Sequence, residues 1–182
     1  KYFKTVRAEA ARVGYFENLY VLREDTEKQI QLSAGQHPIG SIDVKNDASR
    51  RTSGKRLLVE HGAALVVSQS VLGSVAIILY PYASEKLKQS QNYIIWRVLD
   101  DPTQLTDALI KAATRDFFRY IRVSSALFSE SWLDRVMIQY LALRGQKYVK
   151  HGSNVMRTIF SHWTWILIGA AGSIASIYAL WK

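Results

Sequence analysis

From Trp163 to Trp181 the chain runs WTWILIGAAGSIASIYALW, 19 residues without one charged side chain. A helix rises ~1.5 Å per residue, so such a run covers nearly the ~30 Å hydrocarbon core of a bilayer. Trp163 and Trp165 at its start and Tyr178 and Trp181 at its finish carry rings that favour the headgroup level, and Lys182 can snorkel beyond them. The alternative is a helix buried in a soluble core, but core helices rarely run about five turns uncharged. The stretch predicts a transmembrane helix over 163–181.

Flanking charge sets the expected orientation. Residues 136–182 contain Arg144, Lys147, Lys150, Arg157 and Lys182 and no acid, and all but Lys182 precede the run. By the positive-inside rule, the N-terminal side faces the cytoplasm of an inner-membrane, single-pass protein. Residues 151–162 then form a basic juxtamembrane segment, with Lys147, Lys150 and Arg157 contacting membrane lipid. Gly169 and Ser173, Gly172 and Ser176, and Ala171 and Ala175 are each four residues apart. That spacing suits close approach of a second helix, although small residues are common in any span. The first 22 residues are studded with charge, so no secretory signal is visible there.

Across 182 residues there are 24 Lys+Arg against 15 Asp+Glu, a formal net charge of +9. Without the five cations of residues 136–182, 19 bases face 15 acids, an ordinary balance. Nucleic acid is therefore a possible but not a favoured partner, even with Tyr80, Tyr93 and Trp96 available for stacking. The absence of cysteine excludes a disulfide scaffold, thiol catalysis and thiolate metal sites. An apolar share of 48% excludes a wholly disordered chain.

The remaining sequence predicts an α+β domain over 1–150 with an N-terminal helix, a three-stranded, mainly antiparallel sheet and two following helices. Phe3, Val6, Ala10 and Val13 recur at helical spacing, whereas 23–31 and 33–41 read as loop. Residues 46–56 form a basic loop holding Arg50, Arg51, Lys55 and Arg56. A phosphate-binding loop is excluded there, because Ser49 replaces the first glycine and Arg56 the final Ser/Thr. What is left is a contact for lipid or nucleic-acid phosphate, or a solvated loop.

Residues 57–80 read as a β-hairpin rather than a second span, since Ser68, Gln69, Ser70 and Gly73 interrupt the apolar run. Residues 93–99 supply the third strand. Thr106 caps a helix whose apolar face is Leu105, Leu109, Ala113, Phe117 and Ile121. A further helix places Trp132, Leu133, Val136, Met137, Tyr140 and Leu141 on one side, which predicts a core-facing stripe, with Gly145 interrupting it.

Chemistry-bearing motifs are scarce. His37, His61, His151 and His162 show no metal-ligand spacing, and neither a nucleophile elbow nor a dinucleotide fingerprint is present. Asp100-Asp101 and Asp43/Asp47 suit turns and surface. No cofactor, metal or catalytic residue is expected. The resulting expectation is a non-enzymatic membrane-anchored protein that binds a partner or ligand through its cytoplasmic domain and forms a homo-oligomer or hetero-complex. The alternatives are an accessory subunit of a larger membrane complex, and an anchored enzyme or nucleic-acid-binding module using Arg50–Arg56. The layout is similar to that of membrane-anchored effectors in prokaryotic defence systems. The resemblance is one of architecture; it implies that a triggering partner clusters the spans and damages the inner membrane.

Overall fold

Residues 29–34 alternate polar and apolar side chains, Gln-Ile-Gln-Leu-Ser-Ala, the two-residue period of a half-buried strand. The computed structural model describes residues 1–15, 18–44, 54–84 and 91–151. In it this alternation forms β2 (Gln29–Ala34), antiparallel to β1 (Leu19–Glu24) across a turn where Lys28 takes a φ of 46°. The strongly apolar strands β5 (Ala64–Gln69), β6 (Val75–Tyr80) and β7 (Ile94–Leu99) complete a five-stranded sheet of order β1-β2-β5-β6-β7, antiparallel throughout. Between β2 and β5 the chain makes a separate two-stranded ribbon, β3 (His37–Val44) with β4 (Gly54–Glu60). Pro38, which cannot donate to a ladder, is tolerated in that ribbon.

One face of the sheet carries the main core. Leu32, Leu65, Val67, Ile77, Leu79 and Trp96 meet Phe3 of α1 (Tyr2–Arg12) and Ala113, Phe117 and Ile121 of α2 (Asp107–Ser124). The start of α2 is fixed locally: Thr106 Oγ1 accepts from the Leu109 N–H, and Asp107 sits in the first turn, where the helix dipole favours an acid. A 3-10 turn, Pro102–Gln104, precedes it, with Asp101 Oδ1 accepting from the Thr103 N–H at 2.6 Å.

The helix α3 (Trp132–His151) lies against β7. Its Arg144 guanidinium donates to the Trp96 carbonyl at 2.8 Å and stacks over the indole at 5.4 Å. An edge strand with free carbonyls is a template for unwanted pairing, and α3 covers it.

Two expectations are corrected here. The sheet is not three-stranded: the described residues hold seven strands in two sheets and three α-helices. The segments 23–31 and 33–41 are largely strand, because the 29–34 alternation outweighs their glycines and proline. The membrane reading also falls. Among the described residues no helix is long and apolar enough to cross a membrane. Charge is the reason: α2 carries Asp107, Lys111, Arg115, Asp116, Arg119 and Arg122, and α3 carries Asp134, Arg135, Arg144 and Lys147. The single-pass anchor, the inner-membrane location and the likeness to membrane-disrupting effectors lose their support with it. The stretch 163–181 itself, with Trp163, Trp165, Gly169, Gly172, Ser173, Ser176, Tyr178 and Trp181, lies outside the described residues.

Candidate functional site

The most concentrated polar chemistry in the described residues is buried where β3, β4 and the C-terminal end of α2 converge. His37 begins β3, Glu60 ends β4 directly opposite it, and Ser125 caps α2. Glu60 is 1% exposed. One carboxylate oxygen, Oε2, lies 2.9 Å from His37 Nε2 and accepts from Ser125 Oγ at 2.9 Å. The Ala126 N–H donates to Glu60 Oε1 at 3.0 Å, and the Leu127 N–H donates to Ser125 Oγ at 3.2 Å. The His37 ring rests against Tyr82 at 5.0 Å, and the Tyr82 N–H donates to Ser124 Oγ, which donates onward to the Tyr120 carbonyl.

Serine, histidine and a carboxylate in one cluster invite comparison with nucleophile activation, but the connectivity is different. There, histidine stands between hydroxyl and acid and takes the hydroxyl proton. Here the carboxylate is the hub, the Ser125 hydroxyl points at it, and His37 Nε2 lies 3.5 Å from Ser125 Oγ. The Ala126 N–H, which could otherwise serve a developing oxyanion, is turned onto Glu60. With all three side chains buried, the arrangement ties the β3–β4 ribbon to the end of α2. Sequence spacing could not reveal it, because its members come from three separate elements.

A second network joins α2 to α3. Asp116 accepts from Trp96 Nε1 at 2.9 Å and Arg119 at 2.9 Å, while Asp134 accepts from Arg122 Nε at 2.9 Å. It explains why α3 turns an aspartate inward.

That rotation decides the outer surface of α3. The helix buries Asp134, Ile138, Leu141 and Gly145. The stripe expected to face the core instead points outward, apart from Leu141. Trp132 is 71% exposed, Leu133 59%, Val136 52%, Met137 37%, Tyr140 55% and Leu143 65%. The packing constraint is Gly145, which does not interrupt the helix but brings it onto the β7 backbone. A Cβ there would lie 2.7 Å from the Ile95 carbonyl oxygen.

A shallow groove of about 460 Å³ separates α1 from α2, floored by Val6, Ala10, Val13, Tyr15 and Phe118, with Glu9 and Arg122 at its rim. Arg12 holds the Glu9 carboxyl below its ordinary range through two hydrogen bonds, at 3.0 and 2.6 Å.

The expected phosphate-contact residues separate. Lys55 and Arg56 lie on β4, exposed and opposite Asp43 and Ile42 in the ladder, whereas Arg50 and Arg51 are outside the described residues. Lys147 is exposed near the end of α3, whereas Arg157 lies outside the described residues, as does the side chain of Lys150. His61 is exposed and bridges to Ala83 through its backbone. Among the described residues no three His, Cys, Asp or Glu side chains are grouped to hold a metal. No protein-family model matches the chain, and neither a curated protein nor a solved structure does so.

Proposed function

We propose that this chain is a protein-association module that pairs with a second copy of itself through the outer face of α3. The observation that carries the reading is the uninterrupted row Trp132, Leu133, Val136, Met137, Tyr140 and Leu143, exposed along one side of a helix whose other side is fixed in the core. Monomers rarely expose contiguous apolar patches beyond a few hundred Å². At these exposures the six side chains present on the order of 700 Å², near the ~800 Å² per partner of a standard interface.

Several features favour a like copy. No charge falls within the row, and bulky residues sit at both ends, so a two-fold axis near Met137 would set Trp132 of one copy against Leu143 of the other. Antiparallel helices also oppose their dipoles.

The test is the mass of the full chain in solution, measured by sedimentation equilibrium. The expected result is a dimer at micromolar concentration that Val136→Asp, with unchanged circular dichroism, converts to a monomer. A wild-type monomer at about 100 µM, on the order of the weakest physiological association constants, overturns the reading.

A further inference from the structure

The network between α2 and α3 does not balance its charge. It runs as a chain: Arg115 lies 3.8 Å from Asp116, Asp116 accepts from Arg119, Arg119 stands 3.6 Å from Asp134, and Asp134 accepts from Arg122. Three guanidiniums therefore share two carboxylates, and one positive charge is left over. At one end of the chain Arg115 extends into solvent, its side chain 67% exposed, and water takes up its charge. At the other end Arg122 stands in the wall of the groove between α1 and α2. Its Nε is committed to Asp134, and among the described residues neither terminal amino group makes a hydrogen bond.

Nothing else on the groove answers that cation. Glu9, the acid on its rim, is already bound through both carboxylate oxygens to Arg12, so that pair is neutral. The floor is apolar: Val6, Ala10 and Val13 come from successive turns of α1, and Phe118 of α2 receives the Tyr15 ring edge-on at 5.5 Å. Lining residues of α1 run from Thr5 to Val13, a length of ~12 Å at ~1.5 Å per residue. The volume of about 460 Å³ is that of a small-molecule site.

We propose that this groove binds a single-chain carboxylate, with its hydrocarbon tail along Val6, Ala10 and Val13 and its head on the terminal amino groups of Arg122. The planar guanidinium fork matches a carboxylate through two parallel N–H···O bonds. A neutral ligand leaves those donors unused, a cationic one is repelled, and a small polar anion forgoes the apolar floor. A long, shallow groove suits a flexible chain laid along α1 better than a ring inserted between the helices. An extended chain advances ~1.2 Å per bond, so the groove accommodates about ten carbons.

Calorimetric titration of the full chain tests this with three probes: decanoate, decyltrimethylammonium with the same tail and the opposite charge, and acetate with the head alone. Decanoate is expected to bind once per chain, at least tenfold more tightly than the ammonium, and acetate not to bind up to about 1 mM. Arg122→Gln should weaken decanoate at least tenfold. Ala10→Phe, which fills the groove and keeps the charge, should do the same, whereas Lys55→Gln on the distant ribbon should change nothing. Circular dichroism checks the fold of each variant, and the wild-type probe series stands even where a variant misfolds. Equal binding of the two decyl probes, several decanoate sites per chain, or full affinity in folded Arg122→Gln or Ala10→Phe overturns the proposal. The α3 association is read by mass, so either proposal can fail without the other.

Discussion

Gly145 of α3 lies so close to Ile95 of β7 that a Cβ would stand 2.7 Å from the strand carbonyl oxygen. This contact reverses the sign of an ordinary substitution. Glycine inside a helix costs about 1 kcal/mol relative to alanine, so Gly145→Ala should stabilise if intrinsic propensity dominated. Instead the methyl group meets backbone, which cannot rotate away, and α3 must lift from the sheet. Gly145→Ala is expected to lower stability by about 1–3 kcal/mol in urea denaturation. A more stable variant would show that α3 does not pack as described.

The same contact marks the limit of what the sequence conveys. The α2 cap at Thr106, the hairpin of β5 and β6 and the strand at β7 are legible, because each is encoded by neighbours within a few residues. The alternation of 29–34 is also present, but the nearby Gly35, Pro38 and Gly40 suggest loop more loudly than a six-residue period suggests strand. The orientation of α3 is not legible. Its apolar stripe predicts one inward face, and the true inward face is chosen by an aspartate bound to Arg122 and a glycine against a strand. Those partners lie far away in sequence. The Glu60 cluster has the same character.

That cluster makes a graded prediction. Replacing Glu60 with alanine leaves the His37 ring nitrogen, the Ser125 hydroxyl and the Ala126 N–H facing a void where an acceptor stood. Each buried donor so stranded costs about 1–3 kcal/mol, so Glu60→Ala should lose at least about 3 kcal/mol. Ser125→Ala removes one donor and leaves the hub in place, and should lose about 1 kcal/mol. Guanidinium denaturation measures both. Equal losses from the two variants would mean that Glu60 is not the centre of the network.

The helix cap is a smaller and more local element. Thr106 Oγ1 satisfies the Leu109 N–H at 3.3 Å, one of the donors that a helix start leaves without an intrahelical partner. Thr106→Ala should cost about 1 kcal/mol, and Thr106→Ser, which keeps the acceptor, only a few tenths. Thermal unfolding of the two variants distinguishes a capping role from loss of the threonine methyl, which both substitutions remove.

Alkaline pH probes both faces of the sheet together. Tyr120 of α2 belongs to the main core, and Tyr80 of β6 flanks the second face. Burial raises the hydroxyl pKa of each, aided at Tyr80 by Tyr93. In the unfolded chain both ionise near pH 10, about the ordinary tyrosine value. Below that pH their contribution to stability is complete. Above it the unfolded chain loses protons that the folded chain keeps, so stability falls as pH rises. The slope is up to ~1.4 kcal/mol per pH unit for each tyrosine. The urea midpoint should hold level to about pH 9 and then decline. Tyr80→Phe and Tyr120→Phe should each make the decline shallower. If only Tyr120→Phe does so, Tyr80 is reached by water in the folded protein, and the second face of the sheet is open.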